Sequence, residues 1–304
     1  MDNTIPICIF HVGNQQYFKN CVRLNSKNNK VYIIGDESNE NLFNQQEYPN
    51  VTHIHMNTIN QVEVDRFKKC FVNYSTNNHL HEMNCFLRIF YLKQLILTRG
   101  IDQIIHLDSD CIIMDDVNTI FQSLNSSLNN IKVGYSVQTF AQQHNPYHMV
   151  GSVHGSLLNL DFCNKMIELC FDIYENKSKF HLIESKVNWH RNNNHPGGIC
   201  DMTIYYLISS TNLVEVSDFN KTYTIDNELC TFDHQIYGNY GYLGSNTYKT
   251  IGDGKKKLIK QNNKYYFETV NGDLIRVLTI HFQGEYAKYI LENLYDMNSL
   301  ILYF

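Results

Sequence analysis

The sequence predicts an α/β fold: a mostly parallel sheet flanked by helices, then a β-hairpin region and a C-terminal helix. Three observations carry this. Short apolar runs of strand length alternate with segments of helical periodicity through the first third. The stretch 248–281 is divided by turn signals into strand-length pieces. No internal repeat or low-complexity linker interrupts the 304 residues, so one domain is the simplest organisation.

Taken in order, residues 5–12 form an apolar run ended by Gly13, a buried strand by pattern. Residues 17–24 read as a helix. Residues 30–34 read as a second strand, stopped by Gly35-Asp36, and residues 51–56 as a short third. Helical character covers 62–72 and, more strongly, 82–98. There Phe86, Ile89, Phe90, Lys93 and Ile96 follow three- and four-residue spacing, with Gly100 as the stop. Residues 103–107 are a buried strand running straight into Asp108-Ser109-Asp110. A second apolar run, 111–114, follows. Asp115-Asp116 then reads as the N-cap of a helix over 117–124.

Strands are predicted at 132–137 and 156–160, the latter leading into a helix to about Tyr174. Residues 176–198 are polar and rich in His and Asn, which predicts a long surface loop of the lid or acceptor-binding kind. A helix over 200–209 comes next. Gly252-Asp253-Gly254, Asn262-Asn263 and Asn271-Gly272 mark the hairpin turns. A terminal helix is expected over 286–302. The apolar 300–304 can pack on the core, form a homodimer contact or touch a membrane surface, and packing is the expectation.

Composition narrows the classes. A hydrophobic content of 43% supports one large α/β core. The formal net charge of −5 supplies no basic field for nucleic acid. Aromatics reach 13%, with 21 Tyr and 17 Phe against one Trp, which suits a packed globule with grooves able to stack sugars or bases. Only four prolines argue against Pro-rich linkers. Asn is abundant throughout, and a base-composition bias of the gene accounts for it without functional meaning.

The start, Met1 to Pro6, lacks a basic stretch followed by an apolar run, so no signal peptide is expected. No stretch approaches the roughly 20 apolar residues of a membrane span. A soluble, cytoplasmic protein is the expectation. Nine Cys without a Cys-x-x-Cys pair, several in apolar segments (Cys8, Cys85, Cys163, Cys170), predict reduced, buried thiols. The sequons at Asn50 and Asn220 matter only in a secretory compartment.

Asp108 and Asp110 are the first chemical candidates. Two carboxylates separated by one small residue can reach a single hard cation, of the kind often completed by substrate phosphates. Such a cation stabilises charge on a departing diphosphate. Ser109 keeps the turn compact for a close-approaching nucleotide. In many proteins Asp-x-Asp is only a solvated turn. Here the pair lies between two buried runs, where uncompensated carboxylates are costly. It also ends a strand of a sheet whose ligands bind beyond the strands' carboxyl ends.

Residues 104–110, Ile-Ile-His-Leu-Asp-Ser-Asp, resemble the metal-binding motif of GT-A glycosyltransferases. Residues 281–288, His-Phe-Gln-Gly-Glu-Tyr-Ala-Lys, resemble the His-Phe-x-Gly-x-x-Lys signature of glycosyltransferase family 8. The resemblance implies a Rossmann-like GT-A fold. It implies a nucleotide-binding half over 1–125 and an acceptor-side half over 126–304. It assigns Mn²⁺ or Mg²⁺ to Asp108, Asp110 and His281. The donor diphosphate falls to Lys288, with Gly284 in the same signature. A UDP-sugar donor, a glycan, glycoconjugate or protein hydroxyl as acceptor, and retention of configuration are also implied. The family's Pro-Trp after the Lys is replaced here by Tyr289-Ile290, which marks a divergent relative.

By the same resemblance, His11, Gly13 and Asn14 at the end of the first strand correspond to the loop that holds the nucleoside, and Asp36 to the same pocket. An ordinary strand-to-helix turn is the competing reading. Arg88 lies on a semi-buried helix and needs an anionic partner; it is either a structural ion pair or a basic residue near the donor sugar. His154 and Asn159 border a small-residue strand and can touch donor or acceptor. Asp201, after Gly197-Gly198, either caps its helix or binds sugar hydroxyls or acceptor. In an inverting enzyme it would be the general base. A binding protein of this fold without activity, and a haloacid-dehalogenase-type phosphatase with Asp108 as nucleophile, are the alternatives.

Overall fold

The computed structural model describes residues 4–127, 130–137, 145–232, 235–237 and 247–303. Met1, Asp2, Asn3 and Phe304, which figure in the readings of the two ends, lie outside the described residues.

The first layer is a seven-stranded sheet, and the predicted strand–helix alternation builds it. Its strands are β1 (Ile7–Phe10), β2 (Val31–Gly35), β3 (Val51–His55), β4 (Gln103–Leu107), β6 (Gly134–Tyr135), β7 (Ser156–Asn159) and β8 (Ser217–Asp218), in the order β3-β2-β1-β4-β7-β6-β8. The first four run parallel. β7 is antiparallel to both β4 and β6. The sheet is therefore mostly parallel, as expected.

Side-chain alternation divides the core into two. Ile7, Ile9, Val31, Ile33, Ile105 and Leu107 face one side. Cys8, Tyr32, Ile34, Ile104 and Leu158 face the other. The second face is covered by α2 (Val62–Cys70), α3 (His79–Arg99), α5 (Leu160–Tyr174), α6 (His181–Asn192) and α7 (Asp201–Ser210). The first is covered by α1 (Gln16–Asn25), α4 (Val117–Ser127) and a second sheet.

α3 shows how local chemistry sets the bounds. Asn78 caps it by accepting from the Leu80 and His81 amides at 2.9 and 3.2 Å, so it starts earlier than the apolar periodicity suggests. Gly100 ends it in the left-handed conformation, at φ 61°.

The second sheet contains β9 (Tyr223–Ile225), β10 (Glu228–Phe232), β11 (Leu258–Gln261), β12 (Lys264–Glu268) and β13 (Leu274–His281), ordered β11-β12-β13-β10-β9. The expected turn at Asn262-Asn263 has φ of 49° and 62°, the type I′ geometry of a two-residue hairpin. Asp226-Asn227 makes the same turn between β9 and β10, at 51° and 64°. β13 is long enough to serve several partners. β12 pairs with its first part and β10 lies along the opposite edge. Its last three residues pair with β5 (Cys111–Ile113), His281 opposite Cys111.

Four sequence readings need correction. Residues 176–198 are not one long loop, because α6 occupies most of them. Its polar composition hides a narrow apolar stripe: Ile183 and Val187 are buried in the second core. The terminal helix is shorter than predicted. α8 (Glu285–Glu292) ends where the Asn20 amide takes the Leu291 and Glu292 carbonyls at 2.9 and 2.8 Å, and a 3₁₀ turn over Ser299–Tyr303 follows. In that turn Leu300 is buried in the core, as expected of the apolar terminus. All nine cysteines are free, but Cys85 is only partly buried near the start of α3, its sulfur 3.8 Å from His81 Nε2.

The fourth correction concerns Asn, since several serve as struts between distant backbone segments. Asn25, fully buried, donates to the Cys111 carbonyl at 3.0 Å and accepts from the Ile113 amide at 2.8 Å. Asn29 accepts from the Val117 amide at 2.8 Å. Asn39 donates to the carbonyls of His11 and Gly13 at 3.0 and 2.9 Å. Among the described residues no helix is long and apolar enough to cross a membrane.

Asn25→Ala strands the Ile113 amide in the core, and a loss of about 2–3 kcal/mol is expected. Urea unfolding should show the loss, and hydrogen exchange should show faster exchange at Ile113. A wild-type midpoint with unchanged protection would deny the strut its role.

Candidate functional site

The site forms where β4 ends. The chain leaves the parallel sheet at Leu107 and turns through Asp108-Ser109-Asp110, closed by the Cys111 amide donating to the Asp108 carbonyl at 3.0 Å. It then enters β5, whose pairing with the end of β13 brings residue 281 to residue 110. The Phe282 amide donates to the Asp110 carbonyl at 2.8 Å and fixes this register. His281 Nε2 comes to 3.3 Å from Asp110 Oδ1, and Lys288 Nζ to 3.3 Å from Asp110 Oδ2. The two distant sequence motifs thus share one carboxylate.

Asp108 faces different partners. Arg88 donates from Nη1 to Asp108 Oδ1 at 2.6 Å. Its Nε donates to Asp201 Oδ2 at 2.7 Å, and Nη2 bonds the same oxygen. One guanidinium therefore bridges the metal-motif carboxylate and the carboxylate that opens α7. This answers the need of Arg88 for an anion with two of them. Arg88 and neighbouring imidazoles hold Asp108 well below the usual carboxylate range, against its desolvation. Burial pushes Asp201 up to about 6, against the opposing pull of Arg88. Asp201 Oδ1 accepts from the Met202 amide at 2.9 Å, and the residue is only 2% exposed. A buried carboxylate engaged on both oxygens is badly placed to take a proton from an incoming hydroxyl.

The strand reversal at β7 brings a further group to the turn. Because β7 runs antiparallel to β4, with His106 opposite Ser156, the residues just before β7 lie at the carboxyl end of β4. His154 there has Nδ1 3.9 Å from Asp108 Oδ2, and its ring stacks on His281 at 3.8 Å. Ligand atoms of Asp108, His154 and His281 all lie within 4.8 Å of one another. Sequence reading took His154 as a donor or acceptor contact. Its place could be read only with the direction of β7, which periodicity does not give. Asn159, by contrast, caps α5 by accepting from the Phe162 amide at 2.9 Å, a structural task.

The predicted nucleoside loop is partly assembled. The Gly13 amide donates to Asp36 Oδ1 at 3.4 Å, joining the ends of β1 and β2. Gly13 has φ 107°, a region that suits glycine. His11 is buried, stacked on Phe18 at 4.0 Å and 2.7 Å from Gln15 Oε1. Desolvation pushes it down to about 4, so it is a neutral imidazole at pH 7. Asn14 is exposed at the rim. Gly284 sits at the N-terminus of α8 with φ 87° and open space on its Cα.

Tyr17 went unremarked in the sequence. Burial pushes its phenol up, and Lys288 Nζ lies 4.9 Å from its ring centroid. Only its place in the first turn of α1, after the loop at Gly13, hinted at this.

The donor chemistry fits a divalent cation: one carboxylate and two imidazoles, Asp108, His154 and His281, offer ligand atoms within 4.8 Å of one another, and Asp110 stands beside His281. Counter-charge is close to balanced without it. Asp108, Asp110 and Asp201 face Arg88 and Lys288, which leaves one net negative charge if the imidazoles are neutral.

No protein-family model matches the chain, and no curated protein matches it by sequence. Among solved structures, it is similar to mouse xyloside xylosyltransferase 1 in its apo form. That match has 15% identity and a TM-score of 0.46, covering 71% of this chain and 86% of the other. It is similar to the WbbM bifunctional glycosyltransferase at 14% identity and a TM-score of 0.42, over 100% of this chain and 52% of the other. It is also similar to the glycosyltransferase GlyE of Streptococcus pneumoniae TIGR4 at 16% identity and a TM-score of 0.36, over 71% and 46%. The chain thus spans about half the length of the latter two.

Arg88→Met leaves Asp201 buried beside no cation, and a loss of about 3–5 kcal/mol in urea unfolding is expected. Adding Asp201→Leu should restore much of it, since the fully buried carboxylate is then gone and Asp108, partly exposed, keeps His154 beside it. A single variant as stable as the wild type would show that the bridge does not hold the fold.

Proposed function

We propose that the chain is a metal-dependent glycosyltransferase of GT-A type. It transfers a sugar from a UDP-sugar to a hydroxyl of a glycan, glycoconjugate or protein. The observation that carries the reading is the meeting of Asp110 with His281 and Lys288, beside Asp108, beyond the carboxyl end of a parallel strand. Residues 1–125 supply the donor half of a single domain, and 126–304 the acceptor side.

Asp108, Asp110 and His281 would hold Mn²⁺ or Mg²⁺, which when bound supplies Lewis-acid stabilisation of the departing diphosphate. Lys288, braced over Tyr17, adds a point charge for the same diphosphate. Gly13 and Asp36 border the nucleoside, with neutral His11 packed behind them. Arg88 keeps Asp108 ionised, and Asp201 keeps Arg88 in place, so Asp201 acts as a positioning residue.

Transfer makes a bond between the acceptor oxygen and the anomeric carbon and breaks the bond from that carbon to the phosphate oxygen. The reading is retention by front-face attack, in which the departing phosphate accepts the acceptor's proton. That course needs no protein base, which suits a site whose buried carboxylate is tied to an arginine.

The charge balance gives the test. Three carboxylates against one guanidinium and one ammonium leave little charge to hold a dication, and the nucleotide's diphosphate supplies more. UDP with Mn²⁺ should raise the melting temperature by about 5 °C at saturating ligand, and UDP with chelator should do little. A panel of sugar nucleotides scored by released UDP should then identify a donor. Asp108→Ala, Asp110→Ala and His281→Ala should each abolish the metal-dependent shift and UDP release while retaining a cooperative melt. Absence of any metal-dependent effect of UDP on the wild type would sink the reading.

A further inference from the structure

We infer that His154 is a fourth protein ligand of the cation, and that the resulting pair of imidazoles selects a transition-metal dication over Mg²⁺. The inference rests on the metal-dependent reading above and adds a ligand and a selectivity to it. Donor atoms each about 2.1 Å from one ion lie about 3.0 Å apart when adjacent and about 4.2 Å apart when opposite. Two separations fall inside that range. Asp110 Oδ1 and His281 Nε2 are 3.3 Å apart, and Asp108 Oδ2 and His154 Nδ1 are 3.9 Å apart. The Asp108, His154 and His281 donors fall within 4.8 Å of one another.

His154 is also held in place. The Val153 carbonyl accepts from His106 Nδ1 at 3.1 Å and from the Ser156 hydroxyl at 2.7 Å. Gly155, at φ 73°, turns the chain from His154 into β7. The imidazole stacks on His281 at 3.8 Å, with 27° between the planes, so the two rings lie face to face, with ligand atoms within 4.8 Å of each other and of Asp108. Both histidines are buried, which fixes their rotamers before any ligand arrives.

Ligand chemistry then sets the preference. Mg²⁺ demands oxygen donors in near-octahedral array and keeps its waters. Imidazole favours Mn²⁺ and, more strongly, Co²⁺, in the order expected of nitrogen-donor sites. Two imidazoles beside two carboxylates therefore widen the gap between these ions and Mg²⁺, and removing one should narrow it.

The test uses the full chain saturated with UDP, titrated calorimetrically with Co²⁺, Mn²⁺ and Mg²⁺, with the visible absorption of bound Co²⁺ recorded alongside. The wild type should bind Co²⁺ most tightly and Mg²⁺ least. His154→Ala should weaken Co²⁺ at least about tenfold and change the Co²⁺ absorption band. Mg²⁺ affinity should change less than about threefold. His154→Gln, which preserves bulk beside His281, guards against a variant that fails to fold, and both are checked by melting. Wild-type Co²⁺ affinity and an unchanged band in either folded variant would overturn the inference. Equal weakening of Co²⁺ and Mg²⁺ would also overturn it, since that marks a role in packing. In both cases the metal-dependent reading survives if His281→Ala still loses metal. A wild type that binds none of the three ions with UDP present defeats that reading itself.

Discussion

The pairing of β5 with the end of β13 is the contact on which the site depends. Asp110 and His281 are separated by most of the chain, and nothing local draws them together. Three residue pairs of antiparallel ladder do so, and they set the register in which His281 stands opposite Cys111. Because side chains alternate along a strand, a slip of one residue would turn the imidazole away from the carboxylates. The register is guarded from both sides. The Phe282 amide is bonded to the Asp110 carbonyl, and buried Asn25 grips β5 from α1. The second sheet covers one face of the first and also presents the end of β13 beside the β4 turn.

The second organising interaction is electrostatic. Arg88 stands between Asp108 and Asp201, so the helix before β4 and the helix after the glycine pair are tied through one guanidinium. A planar fork with fixed donors does this where a lysine could not. The bridge also separates the roles of the acidic residues. Asp108 is held ionised at the open end of β4, while Asp201 is buried against the arginine.

Much of this was legible in the residues. Strands β1 to β4 and helices α1 to α3 follow from apolar runs and their stops, because elements buried against a parallel sheet carry a strong pattern. The metal-motif aspartates, His281 and Lys288 were legible as chemistry, since each sits in a short, distinctive run. The need of Arg88 for an anion was legible too, but its two partners were not, because Asp201 resembles any helix cap. α6 was missed because its buried face is narrow and its remaining residues are those of a loop. That His154 lies beside Asp108 and His281 was not legible, because the reversal of β7 is a tertiary fact. The buried asparagines looked like compositional noise, for a strut is defined by what lies at its far end.

The long separation of the two motifs also has a consequence during biosynthesis. The aspartates of the β4 turn are made early, when the nascent chain can offer them Arg88 as a counter-charge. The imidazole and ammonium that complete the set on Asp110 arrive only after residues 281 and 288 have left the ribosome. Until then β5 lacks the strand it pairs with, and Asp110 lacks its two partners from beyond β13. Assembly of the centre thus reports that translation has passed its final β-strand and that the strand has docked. A partially synthesised chain therefore cannot assemble the charged cluster at the β4 turn, by the order of its own sequence.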